Sequence, residues 1–361
     1  MRMQADTAQK NIVGWDIGGA HLKAAWLSAE GEVIAIYQEP CPLWLGLDKL
    51  EYALANILAK LPSQLTLHAI TMSGELVDIF SDRAEGVVKI IDLTQRILEQ
   101  QTLLVYAGQL GFISAPQIAA EYIDKIASAN WLASATYVAF QQEQGLLVDI
   151  GSTTTDILLF QNNQLDVSGY TDFQRLGSGE LVYTGIVRTA VMAVTQSVHF
   201  AGKDVGVMSE YFATMADVYR LTNELNERHD QSDTADGHAK TKQASTRRLA
   251  RMIGCDVEDF PPAQWRQLAY TIREQQLCRI QLACEKQLLR SEYTINQQII
   301  GAGVGRFLVQ EIAHRLGIEY RDFNTLFTAP AQKTAMQIAD CAPAVAVAYL
   351  AIEGACKSNI C

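Results

Sequence analysis

Apolar and polar positions along residues 12–108 alternate between the spacing of strands and that of helices. Three apolar-rich runs, IVGWDIG, LKAAWLS and EVIAIYQ, are separated by the turn-forming GAH and AEG, which predicts three strands within 12–38. Apolar residues then recur at helical spacing in GLDKLEYALANILAKL and return to strand-like runs in HAITMS and TLLVYAG. Further helices are predicted near 83–100 and over 115–130, so alternating helices and strands follow the first three strands.

The same order begins again at residue 145. The segment GLLVDIGSTTTDILLF (145–160) predicts strand, turn and strand, and QLDVSGY (164–170) predicts a third strand. A helical pattern starts near Glu180, and after a long insertion the strand QQIIGAG (297–303) precedes the helix VGRFLVQEIAHRL. This repeat is much longer than a solenoid unit, so we interpret it as a duplicated α/β domain whose halves face each other across a cleft.

The duplication sets the predicted domain boundaries. The first domain covers 1–144, and the second covers 145–335 with a helical insertion at about 190–292. Residues 336–361 contain APAVAVAYLAIEGA, a helix of small residues that is expected to pack back on the first domain. Between the helical patterns of the insertion, the polar stretch 228–248 is typical of a solvated loop. A shift of 133 positions superimposes three pairs of residues: Asp149 on Asp16, Gly151 on Gly18, and Asp156 on Lys23.

Composition narrows the class of protein. The 361 residues are 49% hydrophobic, which is typical of a globular chain, and they carry a formal net charge of −11, which argues against a nucleic-acid partner. No apolar run is long enough to predict a membrane span, and the N-terminal MRMQADTAQK lacks the apolar core of a signal peptide. The seven cysteines form no CxxC pair and no zinc spacing, so we expect reduced thiols and a cytoplasmic protein.

Two acid-bearing turns carry the candidate chemistry. The sequence Asp16-Ile-Gly18-Gly19 reappears in the second half as Asp149-Ile-Gly151, followed by Ser152, Thr153 and Thr154. Glycines let backbone N–H groups approach an anion, hydroxyls add donors, and an aspartate at a strand end can hold Mg²⁺ against phosphate oxygens. The alternative is a pair of tight hairpin turns, although such a turn needs no row of hydroxyls.

A third glycine-rich turn opens the helix after the strand at 297–303. It contains Gly301, Gly303 and Gly305. A turn of this kind can receive an anion or an adenosine-like ring at the helix N-terminus. Whether it binds adenosine, a furan or no ligand stays open from the sequence.

These three turns together resemble the actin, sugar-kinase and Hsp70 superfamily, which closes two ribonuclease-H-like α/β domains on a phosphorylated ligand. The stretch ITMSGELVDIFSDRAEGV (70–87) is similar to the hydantoinase/oxoprolinase-related members, and it resembles one small branch of them more closely. The motifs GSGELVYTGIVRT, SEYFATMADVYRL, DTADGHAKT and GAGVG extend the resemblance, which covers about residues 12–350. That branch includes an enzyme of methanofuran biosynthesis and bacterial relatives associated with tetrahydromethanopterin-linked one-carbon metabolism.

The resemblance implies an alkyl transfer without ATP. A furfuryl-type carbon would leave diphosphate and bond to a phenolic oxygen, with γ-glutamyltyramine, tyramine or tyrosine as the acceptor. It implies catalytic roles for Asp16, Asp149, Glu75 and Glu180, with the two glutamates as candidate bases by location. It also implies Mg²⁺ held by Asp16, Asp149 and Asp156.

Further residues are candidates for holding phosphate or substrate. Those near the two turns are Gly18, Gly19, His21, Lys23, Ser73, Gly151, Ser152, Thr153 and Thr154. Those further along are Tyr183, Thr184, Arg188, Gly301, Gly303 and Gly305. Structural roles are open for several: His21 as a buried side chain, Glu75 and Glu180 as helix-start acids, and Arg188 in a surface ion pair. Asp236 and Lys240 could close over a ligand or lie on a surface loop.

Three other functions remain open at this stage. A small-molecule kinase would need an aspartate base and an adenine pocket behind Gly301. An ATP-assisted amidohydrolase like the hydantoinases would need a second subunit. A non-catalytic nucleotide-dependent scaffold would show ligand-dependent assembly without turnover. The expected partners are small molecules, with no nucleic acid or membrane, and a homodimer is left open.

Overall fold

A computed structural model describes residues 11–63, 65, 67–99, 101–291, 297–327 and 336–358, with side chains to 354. The N-terminal decapeptide, the segment 328–335 of the predicted second domain, and the last three residues of the predicted C-terminal segment lie outside the described residues. No helix among those described has both the length and the apolar character required to cross a bilayer. The chain divides into two compact units: the described parts of Met1–Glu143 with Phe323–Cys361, and Gln144–Asp322.

The first unit contains a six-stranded mixed sheet. Its order is β3-β2-β1-β4-β5-β6, with β1, β4 and β5 parallel and the other neighbours antiparallel. The strands are β1 Ile12–Ile17, β2 His21–Leu27, β3 Val33–Pro40, β4 Leu67–Met72, β5 Thr102–Tyr106 and β6 Phe112–Ser114. The helices are α1 Leu47–Leu58, α2 Arg83–Ile97, α3 Ile123–Ile126, α4 Asn130–Gln141 and α10 Ala342–Ser358.

Strand β1 is buried along its whole length and forms the centre of this unit. One face packs on the apolar sides of α1 and α2, with Trp15 and Ile17 in that core. The other face meets α10, and a Cβ atom on Gly14 would lie 2.1 Å from the Ala344 carbonyl oxygen. Glycine in the strand and alanines in the helix therefore permit this close approach.

The second unit repeats the arrangement. Its main sheet has the order β10-β8-β7-β13-β14, with β9 also paired to β8, and β11 and β12 form a separate hairpin. The strands are β7 Gly145–Ile150, β8 Thr155–Gln161, β9 Gln164–Asp166, β10 Leu181–Val182, β11 Ser197–Phe200, β12 Lys203–Gly206, β13 Gln298–Ala302 and β14 Glu319–Asp322. The helices are α5 Asp172–Ser178, α6 Met215–Thr222, α7 Lys242–Met252, α8 Pro262–Leu288 and α9 Arg306–Leu316. The predicted α/β fold is confirmed in each unit.

Several predicted elements differ from the structure. The helix expected over 115–130 is replaced by short 3₁₀ turns and α3, because Ser128 takes a left-handed backbone (φ 51°), and α4 begins at Asn130. No helix starts at Glu180: α5 ends at Ser178, Gly179 (φ 84°) caps it, and the chain then pairs with β8 as β10. The boundary predicted at 335 differs from the division at Asp322, because Phe323 and the following residues pack beside Tyr137 of the first unit.

The insertion predicted at about 190–292 is only partly helical. It contains the β11–β12 hairpin before α6, and α7 begins within the polar stretch expected to be a loop. A buried ion-pair network orders that stretch, with Arg248 bonded to Asp217 and Asp236, and Arg220 bonded to Asp230. Lys240 also pairs with Asp230. Asp236 and Lys240 thus hold the insertion together.

Candidate functional site

The two acid-bearing turns have the same backbone hydrogen bond. In the first turn (18–21) the Gly18 N–H donates to the His21 carbonyl oxygen at 3.0 Å. In the second turn (151–154) the Gly151 N–H donates to the Thr154 carbonyl oxygen at 2.9 Å. Sheet register places Asp16 opposite Lys23 and Asp149 opposite Asp156, the pairs that the shift of 133 positions relates. The duplication seen in the sequence is therefore present in the backbone geometry.

The strand that leads into each turn is hydrogen-bonded at its end by the segment that follows the adjacent parallel strand. This adjacent strand is β4 in the first unit and β13 in the second. The Ser73 N–H donates to the Ile17 carbonyl oxygen at 3.0 Å, and the Gly305 N–H donates to the Ile150 carbonyl oxygen at 2.8 Å. A second segment bonds the turn itself, since the Leu43 N–H donates to the Gly19 carbonyl oxygen at 3.0 Å. These backbone hydrogen bonds fix the position of each turn within its unit.

In the first unit, Asp16 lies with Ser73 and Asn130. Asn130 Nδ2 is 3.4 Å from both Asp16 Oδ1 and Ser73 Oγ, so one amide spans the two predicted site residues. His21 is buried, and Lys23 Nζ donates to the Asp340 carbonyl oxygen at 2.9 Å. Sequence reasoning missed Asn130 because it fell inside a longer predicted helix. The one available signal was its position as a polar residue just before the apolar positions of α4.

Glu75 is fully buried in the first unit. Its Oε1 atom accepts a hydrogen bond of 2.7 Å from Ser128 Oγ. A Cβ atom on Gly86 would lie 2.5 Å from the Glu75 carbonyl oxygen, so α2 packs directly on this residue. Burial on this scale does not favour the predicted role as a base that touches substrate.

In the second unit, the glycine-rich turn packs around Asp149. A Cβ atom on Gly303 (φ 78°) would lie 2.3 Å from Asp149 Oδ1. A Cβ atom on Gly305 would meet Ile150 at 2.5 Å, and one on Gly301 would meet the Tyr320 ring at 2.7 Å. Internal packing therefore accounts for all three glycines, which were predicted to hold a ligand.

The N-terminus of α9 is also engaged within the second unit. Arg306 Nη1 donates to the Gly303 carbonyl oxygen at 2.9 Å, and Arg306 Nε donates to Asp322 Oδ2 at 3.1 Å. The Tyr320 hydroxyl lies 3.4 Å from the same Asp322 oxygen, and burial raises its pKa. This ion pair ties β14 to the glycine-rich turn.

Asp156 lies on the same sheet face as Asp149 and forms an ion pair with an arginine. Arg175 is 1% exposed, and its Nη2 atom donates to Asp156 Oδ1 at 2.6 Å. Burial raises the pKa of Asp156, while the charge and hydrogen bond of Arg175 oppose that shift. An aspartate held in this way is less suited to the predicted metal role than Asp149 is.

The hydroxyls of the second turn remain accessible. Ser152, Thr153 and Thr154 are each half-buried, and Ser152 Oγ lies 3.4 Å from Thr153 Oγ1. Arg188 is also half-buried, with Nη1 3.5 Å from Thr153 Oγ1. Tyr211, which the sequence analysis did not identify, has an exposed side chain. Partial burial raises the pKa of its phenol, and the charge of the nearby Arg188 opposes that shift. The side chain of Arg188 therefore lies near both the hydroxyls of the second turn and the Tyr211 ring.

Three other predicted site residues, Tyr183, Thr184 and Glu180, differ from these hydroxyls in burial or in their hydrogen bonds. Glu180 is fully buried and accepts hydrogen bonds from the Ser168 N–H (2.6 Å), Ser178 Oγ (2.9 Å) and Arg290 Nη1 (2.9 Å). Its carboxylate thus joins three segments of the unit, which does not favour a role as a base. Thr184 is fully buried, and only the neighbouring Tyr183 is exposed.

Comparison with known proteins identifies a matching family, two relatives that share one name, and a solved structure with the same fold. The sequence model of the hydantoinase/oxoprolinase family matches residues 66–342. The chain is 32% identical over 272 residues (73% of the chain, 80% of the relative) to (4-{4-[2-(gamma-L-glutamylamino)ethyl]phenoxymethyl}furan-2-yl)methanamine synthase of Methanocaldococcus jannaschii. The synthase of the same name from Methanococcus vannielii is 33% identical over 115 residues, covering 32% of the chain and 51% of that relative. A nucleotide-free structure of acetone carboxylase shares the fold, with a TM-score of 0.56, 11% identity, and coverage of 94% of this chain and 70% of that one.

Proposed function

This chain belongs to the hydantoinase/oxoprolinase family, and we propose that it is a transferase of methanofuran-type cofactor biosynthesis. The proposed reaction joins an aminomethylfuran diphosphate to a phenolic oxygen and releases diphosphate. Support comes from two curated relatives that bear the name of a methanofuran-pathway synthase. The observation that carries the proposal is the second turn, where accessible hydroxyls lie beside Asp149 and Arg188.

The chemistry asks for stabilisation of a leaving group. The bond between the furfuryl carbon and a diphosphate oxygen breaks, and the bonding electrons leave with diphosphate. The phenolic oxygen bonds to that carbon, and its proton passes to a base. Because a furfuryl carbon tolerates positive charge, fixed donors at the departing phosphate oxygens contribute most to the rate. The N–H and hydroxyl groups of the second turn, with the Arg188 guanidinium, are the proposed donors.

A base for the phenol is needed because the pKa of a free phenol is near 10. Among the four carboxylates predicted to be catalytic, Glu75 and Glu180 are fully buried and hydrogen-bonded within their units. Asp149 is half-buried, and Asp16 is 5% exposed at the end of its strand. The proposal therefore leaves Asp16 and Asp149 as the candidate acceptors of the proton, and the N130A variant below tests Asp16.

Mg²⁺ is the proposed cofactor, and ATP is not required. In the described ranges no three His, Cys, Asp or Glu side chains form a metal-binding group. Mg²⁺ bound to a phosphate ligand needs only one or two carboxylates, since phosphate and water supply its other oxygens. Asp149, half-buried beside the hydroxyls of the second turn, fits that requirement and would hold the ion. Bound Mg²⁺ would neutralise charge on the departing diphosphate.

The test uses purified protein with Mg²⁺ and the aminomethylfuran diphosphate. Tyramine, γ-glutamyltyramine or tyrosine is added in turn, and diphosphate release and the mass of the ether product are measured. We expect ether formation with one of these acceptors and its loss in D149A. Consumption of ATP with a phosphorylated product, and no ether from any acceptor, would overturn the proposal in favour of a kinase.

A further inference from the structure

A short segment of the second unit wraps around the second turn. This clamp segment (184–189) places the Val187 and Arg188 N–H groups 3.1 and 2.9 Å from the Ser152 carbonyl oxygen. The Ile186 N–H donates to the Gly151 carbonyl oxygen at 3.1 Å. A Cβ atom on Gly185 would lie 2.4 Å from the Thr153 nitrogen, so the two backbones are in direct contact. The position of the clamp segment therefore sets where the second turn and Arg188 lie.

One amide from the insertion holds this clamp segment. Gln276, at the middle of α8, is fully buried, and its Nε2 atom donates to Thr184 Oγ1 at 2.6 Å and to the Gly185 carbonyl oxygen at 2.9 Å. The Tyr219 hydroxyl, from α6, donates to Gln276 Oε1 at 2.5 Å. Tyr219 and Thr184 are also fully buried. A hydrogen-bonded chain thus runs from α6 through α8 to the clamp segment.

We propose that Gln276 is a positioning residue through which the inserted helices set the geometry of the phosphate-binding turn and of Arg188. The ligand in this proposal, a diphosphate, rests on the proposed function, whereas the mechanical link rests on geometry alone. Gln276 uses both of its amide protons on the clamp segment and its oxygen on Tyr219. An apolar side chain at this position would leave Thr184 and Gly185 with buried polar groups that lack their donor, and the clamp segment would loosen.

Helix α8 offers a matched control for this residue. Gln287 is likewise fully buried, and its Nε2 atom donates to the Ser178 carbonyl oxygen at 3.0 Å. Its Oε1 atom accepts a hydrogen bond of 2.7 Å from Arg290. Neither of these two hydrogen bonds involves the clamp segment or the second turn. Q276L and Q287L therefore remove the same group from the same helix, and only the first removes hydrogen bonds to the clamp segment.

The first measurement is amide hydrogen exchange of the full chain without ligand. In Q276L we expect the Val187, Arg188 and Gly151 amides to exchange about tenfold faster, because the hydrogen bonds that protect them open more often. Q287L should leave these three amides as in the wild type. Y219F, a milder change that keeps the amide of Gln276, should give a smaller increase at the same positions. Unchanged exchange at these amides in both Q276L and Y219F would overturn the proposal, whatever the protein's function.

The second measurement is calorimetric binding of inorganic diphosphate with Mg²⁺. We expect Q276L to bind about tenfold more weakly, a loss on the scale of one hydrogen-bonding group, and Q287L to bind like the wild type. Equal affinities of wild type and Q276L would overturn the positioning role. A wild type that binds no diphosphate would instead count against the proposed function, and the exchange measurement would then decide the mechanical link by itself.

Discussion

The first and second turns have the same backbone and different side chains around it. Both close with one N–H to carbonyl bond and both are braced by the segment after the next parallel strand. The residue opposite the aspartate differs, since Asp16 faces the cation Lys23, whereas Asp149 faces Asp156. The hydrogen-bonded backbone of the turn is thus shared by both units, while the charge of the residue opposite the aspartate differs.

This difference separates the two turns chemically. At the first turn the residue opposite the aspartate is a lysine, Lys23, whose Nζ atom donates to the Asp340 carbonyl oxygen. At the second turn two carboxylates share a sheet face, and Arg175 donates a hydrogen bond to Asp156. In the proposed reaction we assign the divalent cation and the diphosphate to Asp149 and the second turn, and we expect this turn to dominate the energetics of the leaving group.

The largest expected effect comes from removing Asp149. D149A and the isosteric D149N should each lower the rate of ether formation by roughly 10²–10³-fold, because the Mg²⁺ that would neutralise the developing charge on diphosphate loses its proposed carboxylate ligand. D16N should cost less if the second turn dominates. Steady-state rates at saturating Mg²⁺ measure the comparison. Equal losses in D16N and D149N would show that the two turns contribute alike.

The duplicated turns could be predicted from the sequence because they depend on local spacing. Asp and Gly at a strand end, repeated after 133 positions, specify the same turn in both units. The environment of each carboxylate could not be predicted in this way, because it depends on contacts distant in the chain. Glu180 meets Arg290, and Glu75 meets Ser128, at separations of 110 and 53 residues. A location just past a strand end could not distinguish a buried structural acid from an accessible one.

The path of the clamp segment also could not be predicted from the local sequence. The helix that the sequence pattern predicts from near Glu180 would run through residues 183–188, and Thr184 and Arg188 would then share a face. The left-handed Gly179 ends α5 instead, and backbone bonds to the second turn hold the chain in a non-helical path. Arg188 still reaches Thr153, but it does so through tertiary contacts rather than helical spacing. Tertiary packing here outweighs local propensity.

Loss of Arg175 should destabilise the protein in a pH-dependent way. Burial already raises the pKa of Asp156 above its usual 3.8, and Arg175 opposes that rise. A raised carboxyl pKa means that the folded state retains protons which the unfolded state has lost, so stability falls as the pH rises through the folded pKa. R175L removes the opposing charge and should cost about 3 kcal/mol at pH 7, shrinking as the pH is lowered toward 3.8. Urea unfolding at several pH values measures the effect.

The double variant R175L/D156N is the control for that effect. It removes the buried charge together with its partner, so most of the stability at pH 7 should return. A loss of stability in R175L that is constant with pH, or that persists in the double variant, would assign the role of Arg175 to packing instead.

A smaller difference is expected between the glycines that pack against the two turns, Gly303 at the second turn and Gly74 at the first. At the second turn, G303A places a Cβ atom 2.3 Å from Asp149 Oδ1 at a left-handed backbone position and should cost about 2 kcal/mol. At the first turn, the Cβ atom of G74A would lie 3.0 Å from Leu43 and 3.1 Å from the Ile17 carbonyl oxygen. These contacts are longer than those at Gly303, and Gly74 is not in the left-handed region, so G74A should cost less. Thermal unfolding of both variants measures the difference. A larger loss in G74A would mean that the first turn is the more tightly packed of the two.

The smallest expected effect is at Asn130, the side chain that spans Asp16 and Ser73. Both contacts are long, at 3.4 Å, so N130A should change the free energy of unfolding by less than about 1 kcal/mol. If Asp16 accepts the phenolic proton, the orientation of its carboxylate matters more than stability does. N130A should then shift the pH dependence of the rate and lower kcat a few-fold, while KM for the diphosphate stays the same. A change confined to KM for the diphosphate would instead place Asp16 at the leaving group, and the two turns would have a common chemical role despite their different charges.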